Sequence, residues 1–178
     1  MAKKSETPKK PSPQAIIALG SNLGSPRQFI CDAMKRLENL SAAPLLKSSL
    51  WLTTPVDCPP NSPRFVNAVV VLTPRPGETP ESLLEKMQAL EAEFGRTLSE
   101  FENAPRPLDL DLIAFGSETR STSDLQMPHP RAHKRRFVLQ PLNEILSDLV
   151  LPGQTLTVYE LLMKLPDPDN IEWLSSPI

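Results

Sequence analysis

Residues 105–115 alternate with period two. Leu108, Leu110 and Leu112 fall on one side of an extended chain, and Asp109 and Asp111 fall on the other. That pattern predicts a strand with one face in a core. Carboxylates two residues apart on a strand stand roughly 6–7 Å from each other, because each residue rises about 3.3 Å. The spacing suits two hard cations side by side, or one cation held from both ends. The plainer alternative is a half-buried strand whose other face is wetted, since aspartate is depleted in strands without being excluded. Arg106, framed by Pro105 and Pro107 just ahead of the pair, favours an anion together with a metal.

A chain of 178 residues accommodates one domain with a full hydrophobic core. The net charge of -2 creates no global field toward nucleic acid or membrane. With 21 prolines, many loops are expected to be stiff and extended. Cys31 and Cys58 form no disulfide framework, which predicts a reducing, cytoplasmic setting. No apolar run approaches the ~18 residues a membrane span needs. The basic stretch 1–11 is not followed by the apolar segment of a signal peptide. Residues 1–13 are therefore expected as a disordered tail, 14–165 as a single domain, and the proline-punctuated 166–178 as a frayed tail.

Within the domain, residues 15–20 read as a short buried strand ending in glycine. Ser25 and Pro26 read as the N-cap and first residue of a helix whose apolar face holds Phe29, Ile30, Ala33, Met34, Leu37 and Leu40. Residues 45–53 and 65–73 give two more strands, separated by a proline-rich loop that cannot be a central strand. Thr79-Pro80 starts a second helix, with Leu83, Leu84, Met87, Leu90 and Phe94 as its buried stripe and Gly95 just past its end. Residues 108–115 complete the order β-α-β-β-α-β. That order implies an α+β, ferredoxin-like sandwich with an antiparallel sheet covered by helices. Beyond it comes a helical extension. Residues 125–129 read as a loop, 137–142 and 144–149 as short helices broken at Pro141, and 155–165 as an amphipathic helix or a helix and a turn.

Four features bear on chemistry. Gly20-Ser21-Asn22-Leu23-Gly24 follows a strand and precedes a helix, yet lacks the Lys-Ser/Thr ending of a phosphate loop, so a tight turn accounts for it as well. His129 and His133 are four apart, as a zinc pair on a helix would be. Pro128 and Pro130 disfavour a helix there, and no acidic or cysteine partner lies at a suitable spacing. The basic run 131–136 fits either a nucleic-acid patch or a polyphosphate ligand. The polar stretch 96–106, bracketed by Arg96 and Arg106, fits a lid that clamps a phosphate chain, or an ordinary surface loop. With no activated serine or cysteine nucleophile, the set points to phosphoryl-type transfer carried by positioning and charge neutralisation.

The motifs that carry a family likeness are 17–24, Thr54-Pro55 with Phe65-Val66-Asn67-Ala68 downstream, Glu91, Gly95-Arg96, 105–112, and Pro128-His129 with Arg135-Arg136-Phe137. In this order and spacing, over residues 15–165, the chain resembles the 6-hydroxymethyl-7,8-dihydropterin pyrophosphokinases of folate biosynthesis. The resemblance implies transfer of pyrophosphate from ATP, as co-substrate, to the pterin alcohol, with AMP leaving. It implies that Asp109 and Asp111 hold two Mg²⁺ ions and that Arg96 and Arg106 act with them on the phosphates. Glu91, Leu112, His129 and Arg135 would face the nucleotide. Thr54, Pro55, Val56, Phe65, Asn67 and Phe137 would surround the pterin, and Asn22 would support the pocket edge. The implied partners are small molecules only, with no nucleic acid and no membrane, and a monomer is the expected state. Two departures stand out. Phe101-Glu102-Asn103-Ala104 replaces the further arginines and the Trp-Gly of the family's catalytic loop, and Asp124 stands where a basic residue often precedes Pro-His. The rival readings are a degenerate pterin- or nucleotide-binding homologue with weak transfer, and a small nucleic-acid binder using the basic run.

Overall fold

The computed structural model describes residues 13–96, 104–166 and 170–177. Its elements are β1 (Ala15–Ser21), α1 (Pro26–Glu38), β2 (Leu46–Lys47), β3 (Leu50–Thr53), β4 (Phe65–Leu72), α2 (Pro80–Glu93), β5 (Asp109–Phe115), β6 (Arg120–Ser121), β7 (Gln126–Met127), α3 (Arg136–Leu146), α4 (Val158–Lys164) and β8 (Ile171–Ser175). The main sheet runs β5-β1-β4-β3-β8 and is antiparallel throughout, with β2 pairing β4 beyond β3. Its first four places are the ferredoxin-like arrangement expected from the element order.

Period-two alternation decides which helices each face receives. Ile17 and Leu19 of β1, Val70 and Leu72 of β4, and Leu110 and Leu112 of β5 pack against Ile30, Met34 and Leu37 of α1 and Leu83 and Met87 of α2. The odd-one-out positions Ile16, Ala18, Val69 and Val71 pack against Val138, Leu139 and Leu142 of α3 and Val158, Leu161 and Leu162 of α4. The C-terminal extension thus forms a third layer on the face that the sandwich alone would leave open. Near the end of β5 the register against β1 slips by one residue, so Ile113 and Ala114 both face α3 and α4 and Phe115 returns to the first core.

The helix starts follow the cap residues. Thr79 accepts from Ser82 N at 3.1 Å, Ser82 Oγ reciprocates on Thr79 N, and Pro80 occupies the first turn of α2. Gly95, with φ of 88°, follows the C-cap Phe94 in the left-handed conformation that residue type tolerates.

Four expectations need correction. The strand expected at 45–53 is interrupted at Ser48-Ser49. There Ser48 Oγ accepts from Val69 N at 2.9 Å, and Glu144 of α3 accepts from Ser49 N and Ser49 Oγ at 2.9 and 2.6 Å. Side chains therefore satisfy backbone groups that a regular ladder would have used. The two short helices expected around Pro141 are one helix, α3, which keeps going because its apolar face is buried on the sheet; the missing proline N–H is one lost bond in a well-packed element. Residues 125–129, expected as a loop, contribute β7, which pairs with β6. The C-terminal stretch, expected as a frayed tail, returns to the sheet as β8. Thr54 N donates to Asn170 O at 3.0 Å, Arg64 pairs with Glu172, and Arg136 donates to the carbonyls of Leu165 and Pro166.

Candidate active site

Register places the chemistry. Gly20 of β1 lies opposite Asp109 on one side and Asn67 on the other, and Asn67 lies opposite Trp51. In the next row on the same face, Ala18 sits between Asp111 and Val69. The two aspartates thus share the α3 face of an outer strand, as the alternation predicts, and Gly20 and Ala18 leave low ground beside them. A cavity opens there, floored by Ala18, Leu19 and Gly20. Thr53, Thr54, Val56, Asp57, Cys58, Phe65 and Asn67 wall it on one side, and Arg106, Asp109, Asp111, Arg135 and Phe137 on the other. A second cavity runs along α2, lined by Leu84, Gln88, Glu91, Ala92, Arg96 and Leu110, and it too is bounded by Asp109 and Asp111. The two aspartates line both cavities.

Arginines surround them. Asp109 Oδ1 accepts from Arg96 Nη1 at 2.9 Å and from Arg106 Nη1 at 3.1 Å. Arg96 also pairs with Glu91, whose buried Oε1 accepts from Leu110 N at 2.7 Å. Arg135 lies 3.8 Å from Asp111 and 5.4 Å above the Phe137 ring. Burial, and then the charge of Asp109, push Asp111 up to about 6 although its side chain is about 34% exposed; Arg135 and Arg106 oppose the shift. A carboxylate held toward its protonated form beside a second carboxylate is a donor set a hard divalent cation would relieve, and carboxylate oxygens are what Mg²⁺ prefers. Among the described residues, no three His, Cys, Asp or Glu side chains gather to hold a metal. A Mg²⁺ ion at Asp109 and Asp111 would complete its shell from water and phosphate oxygens.

His129 N donates to Ile113 O at 2.9 Å, which fixes the residue against β5, and its Nδ1 accepts from Arg131 N at 3.1 Å. Burial first, then Arg135 and Arg131, lower its pKa to about 4. At neutral pH it is an uncharged ring whose Nε2–H is the donor. Asn22 is buried and acts as a staple. Its Oδ1 accepts from Arg106 N at 2.9 Å and its Nδ2 donates to Pro63 O at 3.2 Å, while its own N donates to Arg106 O at 3.2 Å.

The first cavity therefore gathers Thr54, Val56, Phe65, Asn67, Arg106, Asp109, Asp111, Arg135 and Phe137 of the expected site, and the second gathers Glu91 and Arg96 with the aspartates. Pro55 borders Thr54 without lining either cavity. The Leu112 side chain is buried in the core under α1 and α2, which leaves its backbone for any role toward a nucleotide. Phe101, Glu102 and Asn103, the altered part of the expected lid, lie outside the described residues. Gly20, Thr53, Asp57 and Cys58 also line the first cavity without being among the expected site residues; a glycine inside an apolar strand is the available signal for the first.

Burial raises Glu91 from an ordinary 4.5 to about 7, against the pull of the Leu110 N–H and of Arg96. A carboxyl with a raised folded pKa binds its proton more tightly when folded. The stability it contributes is complete below about pH 4.5 and is lost as pH rises through about 7. Urea unfolding midpoints measured from pH 4.5 to 7.5 should fall more steeply for the wild type than for Glu91→Gln, which keeps an acceptor for Leu110 N but does not titrate.

The sequence matches the family model of 7,8-dihydro-6-hydroxymethylpterin-pyrophosphokinase (HPPK) over residues 16–147. Among similar proteins, the 2-amino-4-hydroxy-6-hydroxymethyldihydropteridine pyrophosphokinase of Pseudomonas aeruginosa is 39% identical over 140 residues, covering 78% of this chain and 84% of the relative. That of Haemophilus influenzae is 37% identical over 158 residues, covering 89% of this chain and 96% of the relative. The folic acid synthesis protein fol1 of Pneumocystis carinii is 35% identical over 153 residues, and there this chain spans 86% of itself and 20% of the longer protein. A solved HPPK-DHPS in complex with substrates superposes with a TM-score of 0.68 at 12% identity, over 86% of this chain and 43% of that one, which shows the shared fold. From the bacterial relatives and the matched residues 16–147, the chain belongs to the 7,8-dihydro-6-hydroxymethylpterin-pyrophosphokinase family.

Proposed function

We propose that this chain transfers a pyrophosphoryl group from ATP to 6-hydroxymethyl-7,8-dihydropterin, releasing AMP and the pterin diphosphate, as a step of folate biosynthesis. The observation that carries the reading is that one pair of carboxylates lines two cavities, so a substrate in each would be brought to Asp109 and Asp111. The hydroxymethyl oxygen forms a bond to the β-phosphorus, the bond from that phosphorus to the α-phosphate oxygen breaks, and the hydroxyl proton is lost to solvent or a carboxylate. Mg²⁺ at Asp109 and Asp111, two ions by this reading, would neutralise phosphate charge and make the hydroxyl more acidic.

The chain's own residues supply position and charge. Arg96 and Arg106 already converge on Asp109, so their guanidinium groups stand within reach of phosphates that enter beside it. Glu91 holds Arg96 in place and ties it to β5 through Leu110 N. Arg135 adds a cation beside Asp111, and neutral His129 offers a donor, with the Leu112 backbone, toward the nucleotide. Phe65 and Phe137 supply aromatic surface for a flat heterocycle, Thr54, Pro55 and Val56 form its wall, and Asn67 meets its polar edge. The reading implies a monomer that acts on small molecules and not on nucleic acid. Cys31 and Cys58 are free thiols, in keeping with a cytoplasmic setting.

Protein mixed with ATP, Mg²⁺ and 6-hydroxymethyl-7,8-dihydropterin should give AMP and pterin diphosphate in equal amounts. ADP in place of AMP, or tight pterin binding with no AMP, would reject the assignment.

A further inference from the structure

The basic run 131–136 does not act as a unit. Arg135 stands by the carboxylates, 3.8 Å from Asp111. Its neighbour Arg136 directs its guanidinium at main-chain carbonyls instead: Nη2 donates to Pro166 O at 2.9 Å, with Leu165 O at 3.2 Å and Leu162 O at 3.4 Å beside it. A cation in the first turn of a helix is disfavoured by the macrodipole, and α3 has no acidic residue there to offset it. The charge is matched by the carbonyl end of α4, where C=O groups lack helical partners.

The segment that Arg136 holds leads into β8, and β8 holds another part of the substrate site. Thr54 N donates to Asn170 O at 3.0 Å, Thr53 pairs with Ile171, and Arg64 pairs with Glu172. The loop 54–64 thus has both its ends tied to consecutive residues of the C-terminal stretch. Phe137 of α3 and Thr54 and Val56 of that loop line the first cavity, and the same three border a further hollow together with Arg136, Pro166 and Ile171. We propose that Arg136 is a positioning residue for the pterin: by gripping the start of the C-terminal return it sets the first turn of α3, and so the Phe137 ring, against the segment that carries Thr54. The inference rests on the reading that the first cavity takes a pterin. Arg136 does not line that cavity and acts through Phe137 and Thr54. Arg135 is held separately, by its N donating to Ala132 O at 3.1 Å and by Asp111, so the nucleotide side is not expected to follow.

The test applies steady-state kinetics with 6-hydroxymethyl-7,8-dihydropterin and MgATP, and amide hydrogen exchange at Thr54, to the wild type, Arg136→Met and Arg136→Lys. Arg136→Met keeps an unbranched apolar stem and loses the donors. Its KM for the pterin should rise about tenfold, with kcat and the KM for ATP within about twofold, the pattern of binding lost equally from ground and transition states. The Thr54 N–H should exchange about tenfold faster, because the strand that accepts from it has lost its anchor. Arg136→Lys keeps a charge without the planar fork and should lie between, with a pterin KM about threefold above wild type. A role confined to stability would lower the unfolding midpoint and leave the pterin KM unchanged. That result overturns the proposal, as do equal rises in KM for both substrates. Wild-type exchange at Thr54 in a variant whose pterin KM has risen overturns it too. Should the methionine variant not fold, the lysine variant decides by the same readouts, and wild-type values there overturn the proposal. A wild type that releases no AMP overturns the functional reading and this proposal with it, an outcome distinct from a changed KM.

Discussion

Asp111→Ala is expected to lower turnover about 10³-fold while the protein stays folded. Its partner Asp109 is tied to Arg96 and Arg106, so truncating Asp109 would disturb two cations as well as a carboxylate. Asp111 has a looser pairing, 3.8 Å to Arg135, and burial, then the charge of Asp109, favour its protonation. Removing it relieves repulsion and leaves no tightly bonded partner behind. Loss of activity without loss of stability, or with a small gain, is the pattern of a group kept for chemistry rather than for folding. AMP release under saturating substrates measures the first quantity, and a urea melt the second. A variant that keeps more than a tenth of wild-type turnover would show that transfer does not depend on a carboxylate pair.

Gly20→Val should weaken pterin binding about 100-fold while changing affinity for an ATP analogue no more than about threefold. The backbone at Gly20 is not in the left-handed region, so a side chain there is a question of space. A Cβ would stand 3.1 Å from Asn67 Oδ1 and 3.6 Å from the Phe65 ring. The added methyls would then occupy the cavity floor between Asn67 and Asp109. Crowding typically costs about 1–3 kcal/mol, and replacing glycine in a strand returns about 0.5–1 kcal/mol. The unfolding midpoint should therefore drop by only a few degrees. Calorimetric titration with pterin and with the analogue separates the effects. Equal weakening of both ligands would place the two substrates differently from the arrangement proposed here.

The strand pattern was legible wherever a local rule decided it. Leu108, Leu110 and Leu112 fix one face of β5, so Asp109 and Asp111 had to share the other. Thr79, Pro80 and Gly95 likewise fixed the ends of α2. What was not legible depends on partners far along the chain. The break at Ser48-Ser49 is stabilised by Glu144, about a hundred residues later, and no window of sequence around the serines contains that information. Pro141 argues for a helix end by its own chemistry, and only the burial of Val138, Leu139 and Leu142 overrides it. β8 mixes Glu172 and Ser175 with its apolar residues, a composition an outer strand tolerates and one that reads as a polar tail. In the site, Asn67, Phe65 and Phe137 were found through the family likeness, while Gly20 emerges only from the register that sets it between Asp109 and Asn67. Leu112 shows the reverse case: its alternation already placed its side chain in the core, and the likeness assigned the position to the nucleotide.

The Asn22 staple has a consequence for how such a molecule can vary. One buried side chain fixes both Pro63, where the chain re-enters β4, and Arg106, where it re-enters β5. The stretch between Thr54 and Pro63 therefore hangs from a point fixed by β1 and not by the loop itself. It behaves as an exchangeable attachment on a rigid frame: its length can change without moving the carboxylates or the pocket floor. The wall it supplies can then be altered separately from the arrangement that performs the transfer.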